Sequence, residues 1–236
     1  MKSLQLTESH YNELELLEQL LPLNHKKILE LGCGKAEKTR KIVTKGEGRQ
    51  IIATEVDAVQ HGKNLKLDDL PNVQFIESGA QYIPLDDGSI DIVLMFKSLH
   101  HVPMEQMDQA LSEIERVLKS GGYAYISEPV YAGAFNEMMC LFHDEKIVRA
   151  AAYKAIETSI DGGIWAETEE LFFNTQLRFK DFSEFDQRML QVTHTDHALS
   201  PEVLQEVKEK FSSNMKNGRV EFLVPNRVNL LRKKYQ

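Results

Sequence analysis

Glu30, Gly32 and Gly34 stand together at the end of a short apolar run, in "KKILELGCGKAEKTR" (26–40). A glycine pair after a strand lets the backbone approach a ligand with no Cβ in the way. The next apolar run ends in a second acidic stretch, "ATEVD", with Glu55 and Asp57. A carboxylate about 20 residues past such a loop accepts hydrogen bonds from ribose hydroxyls. Glu55 follows directly on the apolar run and is the better placed of the two. A dinucleotide would need Gly-x-Gly-x-x-Gly, because its pyrophosphate lies over a helix N-terminus. The third position here is Glu37, whose charge repels a pyrophosphate. A P-loop fails as well, since no Gly-Lys-Ser/Thr follows at the right spacing. The alternative is a nucleoside that carries an amino acid and no phosphate. Glu30 could take its amino group, directly or through water.

Other reactive side chains follow later runs. "FKSLHHV" supplies Lys97, His100 and His101, and Glu128 and Tyr131 come after "YAYIS". Lys97 could bind a carboxylate on the substrate or on the nucleoside ligand. Either histidine could act as a base near neutral pH. Neighbouring helix residues point about 100° apart, so the two are not expected to share one role. His143 and Asp144 lie farther on, as do His194 and His197. The last pair is spaced i, i+3 without a third ligand, and Cys33 and Cys140 are the only cysteines. No metal site is expected. Cys33 reads as a small loop filler rather than a nucleophile. Tyr153, Trp165, Phe172 and Phe173 read as core.

The elements that must hold these groups alternate in type. Residues 13–21 have helical apolar spacing, and "KKILEL", "QIIAT", "VQFIE", "IDIVLMF" and "YAYIS" read as five strands. The fourth is nearly all apolar, as in a sheet covered on both faces. A helix precedes the fifth, with Met104, Met107, Leu111, Ile114 and Leu118 on its core stripe. Strands alternating with helices imply βαβ units and a doubly wound α/β sheet. After Pro129 the pattern changes. One or two helices precede "GGIW", and a mixed stretch runs to about residue 190. "QVTHT" reads as a strand, "SPEVLQEVKEKF" as a helix opened by Pro201, and "RVEFLVPNRVNLL" as the last strand. The expectation is a single domain over 1–236. Its core covers about 20–129 and 185–236, and a helical lid covers about 130–184, inserted after the fifth strand.

The chain has 28 basic and 36 acidic residues, a net charge of −8. That argues against a phosphate-backbone binder, which needs a basic face. No run approaches the ~18 apolar residues of a membrane span, and no signal peptide is visible at the N-terminus. A cytoplasmic protein, monomer or homodimer, acting on a small molecule is expected.

"ELGCGKA", "ATEVD", "LDDGSIDIVLMFKSLHHV" and "EIERVLKSGGYAYISEP", in this order, resemble the class I S-adenosylmethionine-dependent methyltransferases. The likeness is closest to the small-molecule enzymes with a "GxGxG" loop and an "LKPGG" turn, and it covers about 20–129. The resemblance implies a Rossmann-like seven-stranded sheet, mostly parallel with the last strand antiparallel, and S-adenosyl-L-methionine as cofactor. It implies that Gly32, Cys33 and Gly34 border the methionine part, Glu30 lies near the amino group, and Glu55 with Val56 meets the ribose side. Gly79, Ala80 and Gln81 would cover the adenine, and Lys97 would lie beside the cofactor. His100, His101 and Glu128 are the catalytic candidates. The chain departs from the family at Ala36, for the third loop glycine, at Gly79, for the usual adenine-binding acid, and at Ser120, for proline. The alternatives to small-molecule methylation are a tRNA or protein methyltransferase and a non-catalytic cofactor-binding protein.

Overall fold

The computed structural model describes residues 2–5, 10–191, 199–216 and 218–235. The elements run β1 (Lys2–Gln5), α1 (Glu13–Leu20), β2 (Lys27–Leu31), α2 (Glu37–Lys45), β3 (Gln50–Glu55), α3 (Ala58–Asn64), β4 (Val73–Glu77) and β5 (Ile90–Phe96). Two 3-10 turns follow, Leu99–His101 and Met104–Gln106, and then α4 (Met107–Val117), β6 (Leu118–Pro129), α5 (Ala134–Met139) and α6 (Lys146–Asp161). The chain continues through β7 (Trp165–Phe179), α7 (Phe182–Phe185), a π turn (Asp186–Leu190), α8 (Pro201–Ser213), β8 (Met215–Lys216) and β9 (Arg219–Lys233). Among the described residues no helix is long and apolar enough to cross a membrane.

One sheet takes the order β1-β7-β9-β6-β5-β2-β3-β4, with β8 paired to β9. β9 runs antiparallel to β6, β7 and β8, and the remaining pairings are parallel. β5 lies in the middle and alternates between two buried faces. Val93 and Met95 pack with α4 and α6, while Ile92, Leu94 and Phe96 pack with α1 and α2. This explains why the run has no polar face. A third cluster, built on Phe179, Phe185, Phe211 and Phe222, joins α7 and α8 to the far ends of β7 and β9.

Among the described residues the sheet has nine strands rather than seven. The additions are four-residue β1 on the edge of β7 and two-residue β8, a hairpin partner of β9. Neither carries an apolar run long enough to announce itself, and pairing alone makes each a strand. A larger correction concerns 130–184. Helix occupies only α5, α6 and α7 there, and residues 165–179 form β7, between β1 and β9. "AETEE" favours helix by composition. The sheet overrides it, and the period-two burial of Leu171 and Phe173 is the strand signal beneath the acids. Beyond Gln191 the strand expected at "QVTHT", with His194 and His197, lies outside the described residues. Met104, read as core, is 50% exposed, because it sits in the 3-10 turn before α4 begins.

Candidate active site

The loop from β2 to α2 turns through three left-handed residues: Gly32 (φ 75°), Gly34 (φ 53°) and Ala36 (φ 58°). Gly32 is required twice over. Its φ disfavours a side chain, and a Cβ there would lie 2.8 Å from Ser98 Cβ. Gly34 differs, since a Cβ would meet nothing within 4 Å, so the loop is open on that side. Ala36 accepts the left-handed region at a cost of about 1–2 kcal/mol, with its methyl buried in the core.

Glu55 is tied to this loop. Gly34 N–H donates to Oε2 at 2.7 Å, while Val56 and Asp57 N–H donate to Oε1 at 2.8 and 3.0 Å. A carboxylate offers about four acceptor places, which leaves one, on Oε2. Asp57 has another task. It caps α3 by accepting from the N–H groups of Val59 and Gln60.

Glu30 is 2% exposed and accepts from Thr39 Oγ1 at 2.6 Å. Burial pushes its carboxyl up to about 7, against the pull of Thr39 and Lys38. Cys33 is buried, and Asn64 Nδ2 approaches its sulfur at 3.5 Å. Burial first, then Glu30 and Glu55, push its thiol up to about 12, so it stays protonated and inert.

β4 ends beside Glu55, since Ser78 N–H donates to the Glu55 carbonyl at 3.2 Å. That contact brings Gly79, Ala80 and Gln81 to the same edge of the loop. A Cβ on Gly79 would lie 2.4 Å from Gln81 Oε1, so the Gln81 amide covers the place where a longer residue would project. Val56, 67% exposed, gives this edge an uncovered apolar side chain.

The ends of β5 and β6 form a second cluster. Lys97 has φ 57°, and its N–H donates to the Ser127 carbonyl at 2.7 Å. Burial lowers the pKa of its ammonium, and Glu13 opposes this. Glu13, the first residue of α1, is buried, pairs with Lys38 at 2.6 Å and accepts from Ser127 Oγ. Glu128 is buried, accepts from Leu99 N–H at 2.9 Å and is bonded to His100 Nδ1. On its other side His100 Nε2 lies 3.5 Å from Glu145 Oε1. Burial opposes a charge on His100, but Glu128 and Glu145 outweigh it and raise the imidazole to about 9. His101, exposed but beside His100, shifts the other way, lowered by partial desolvation and by the His100 charge. The two rings, expected to diverge, have centroids 4.1 Å apart. They sit in a 3-10 turn that ends at once, so His101 is free to fold back.

Tyr131 donates to Asp144 at 3.0 Å, and His143 Nε2 lies 3.0 Å from Glu145 Oε1. Among the aromatics read as core, Trp165 and Phe173 are buried, and Tyr153 lies under the Arg227 guanidinium, 3.7 Å from its ring centroid.

Residues 29–126 match the family described as a methyltransferase domain. This segment is similar to a methyltransferase domain. An uncharacterized methyltransferase of Mycobacterium bovis is 32% identical over 108 residues, 46% of this chain and 42% of its own length. The ubiquinone/menaquinone biosynthesis C-methyltransferase of Campylobacter jejuni is 32% identical over 105 residues, 43% of this chain and 44% of its own. The chain thus spans less than half the length of these curated relatives. Among solved structures, YcgJ from Bacillus subtilis superposes with a TM-score of 0.66 at 15% identity, over 94% of this chain and 98% of that one. The cyclase SpnF reaches 0.59 at 18% identity, over 94% and 80%. At such identities the likeness is one of fold, and the fold serves more than one chemistry.

The matched segment contains the glycine loop, Glu55, Gly79, Lys97 and both histidines. Glu13, Glu128, Glu145 and Arg149 lie outside it, and sequence reasoning missed three of them. Glu13 read only as a helix start, and Glu145 and Arg149 were one charge among many in a helical stretch. The one available signal for Glu145 was its place directly after His143 and Asp144.

Proposed function

We propose that the protein is an S-adenosylmethionine-dependent methyltransferase acting on a small molecule. The observation that carries this reading is the Gly34–Glu55 hydrogen bond. It sets a carboxylate with one open acceptor place beside a loop that is open at Gly34. A ribose hydroxyl suits that place. Gly32 and Gly34 let the methionine part lie against the backbone, with Glu30 behind the loop toward the amino group. Val56, Gly79, Ala80 and Gln81 supply an edge for the adenine, apolar at Val56 and built of backbone at Gly79, where the family's acid is missing. Lys97 stands on the side of the cofactor's carboxylate or the substrate.

S-adenosylmethionine, when bound, supplies a methyl group on an already activated sulfonium. The chain's own task is then to align the acceptor, for which effective molarities reach about 10⁵–10⁸ M. His100, held by Glu128, positions the acceptor side of the site. His101, lowered in pKa and exposed, offers a lone pair. The acidic balance of 36 to 28 favours a small acceptor over a nucleic acid. The reading includes a cytoplasmic monomer or homodimer.

The test is incubation with methyl-labelled cofactor and a panel of phenols, quinols, amines, thiols and carboxylates. Label on a low-mass acceptor supports the reading. Label confined to tRNA or protein, or cofactor binding without transfer to any acceptor, would overturn it.

A further inference from the structure

The cluster at the end of β5 has more ligand character than methyl transfer requires. One nitrogen each of His100 and His101 and one oxygen of Glu145 lie within 4.8 Å of one another. We infer that these three side chains form a site for a divalent first-row cation of the zinc type, with a further position left for water or the methyl acceptor. The sequence alone led to the opposite expectation, because Glu145 reaches the histidines only through the fold.

Three features separate this group from an ordinary ion pair. First, donors 2.0–2.1 Å from a tetrahedral zinc ion are ~3.4 Å apart. His100 Nε2 and Glu145 Oε1 are 3.5 Å apart, which fits that edge better than the ~2.9 Å of an N–H···O hydrogen bond. The wider spread of the set asks for a contraction of at most ~1.4 Å, and it can fall on the exposed His101 ring. Second, both anchoring ligands are oriented from behind. Glu128 bonds His100 Nδ1, which turns Nε2 toward Glu145. Arg149 holds Glu145 Oε2 at 2.6 Å and Asn136 Oδ1 at 2.9 Å, which leaves Oε1 facing the histidines. A carboxylate behind a ligating imidazole is the usual outer partner of a metal-bound histidine. Third, two imidazoles and one carboxylate form the donor set that suits zinc and its neighbours rather than magnesium or calcium.

His143 Nε2, 3.0 Å from Glu145 Oε1, borders the same position. With three protein ligands the ion keeps an open place, as catalytic zinc does. Its use to bind and deprotonate an acceptor rests on the methyltransferase reading. The binding of the ion does not.

The experiment is zinc titration of the chelator-treated, dialysed full chain against a chromophoric competitor, with no nucleoside present. The expected result is one equivalent bound at submicromolar affinity. His101→Ala should weaken it at least tenfold without lowering the metal-free melting temperature, since His101 is exposed. Glu145→Gln should weaken it by a similar factor. If that variant does not fold, His101→Ala decides. Absence of stoichiometric binding, unchanged affinity in His101→Ala, or binding lost only in a His194→Ala/His197→Ala double variant would overturn the site. Because cofactor affinity is measured separately, failure here leaves the methyltransferase reading standing.

Discussion

Glu55 clamps the loop through Gly34, and in the proposed reading its remaining acceptor place takes a ribose hydroxyl. Glu55→Gln should therefore weaken S-adenosylhomocysteine by about 1–3 kcal/mol, the scale of a charged hydrogen bond. Asp57→Ala should cost about 1 kcal/mol of stability, as a lost helix cap, and leave that affinity unchanged. Equal loss of affinity in both would move the ribose contact away from Glu55. Glu30 makes a prediction about pH. Its carboxyl is raised from 4.5 to about 7 in the fold, so between those values the unfolded chain binds fewer protons than the folded one. Stability contributed by this residue must fall as pH rises through that window and level off above it, by on the order of 3 kcal/mol. Denaturant unfolding at pH 5 and pH 8 should show a smaller loss for Glu30→Gln than for the parent, and equal losses would refute the assignment. Gly32 is fixed by φ and by Ser98. Gly32→Ala should destabilise by more than the ~1–2 kcal/mol of left-handed strain alone, read as a lower melting temperature. These residues were legible in the sequence because loop and strand end are adjacent in it. The role of Glu30 was not, since burial and the Thr39 contact come from α2 packing back over the loop.

At the scale of elements, α1 is joined to the sheet by a polar tie as well as by Leu16 and Leu17. Glu13 reaches Lys38 on α2 and Ser127 on β6, which places the start of α1 at the edge of the site. Burial pushes its carboxyl up, but Lys38 and Lys97 outweigh burial and hold it below the ordinary range. Glu13→Gln should cost about 1–3 kcal/mol, as a buried charged bond lost, and raise amide exchange across α1 first. Uniform exchange with no gain in α1 would mean that the tie is incidental. The five strands and the helix before β6 were readable because each carries its own period. β7 was not. It read as a mixed stretch within the expected lid, and only its neighbours β1 and β9 make Leu171 and Phe173 an inward face. The meeting of His100, Glu128 and Glu145 was equally hidden, because β5, β6 and the start of α6 are brought together only by the sheet order and the packing above it.

For the molecule as a whole, residues 29–126, similar to a methyltransferase domain, supply the loop, Glu55 and the two histidines. The chain beyond this segment closes the sheet with β9 and β7 and packs α6 against α4 and the 3-10 turns that follow β5. In the proposed reading the acceptor side combines His100 and His101 of that segment with Glu128 and Glu145 outside it. The central claim, that the glycine loop holds a nucleoside amino acid rather than a dinucleotide, is open to one direct measurement. Calorimetric titration of the full chain with S-adenosylhomocysteine, and separately with NADH, should give micromolar one-to-one binding for the first and none for the second. No heat with S-adenosylhomocysteine, or binding of NADH in its place, would contradict it.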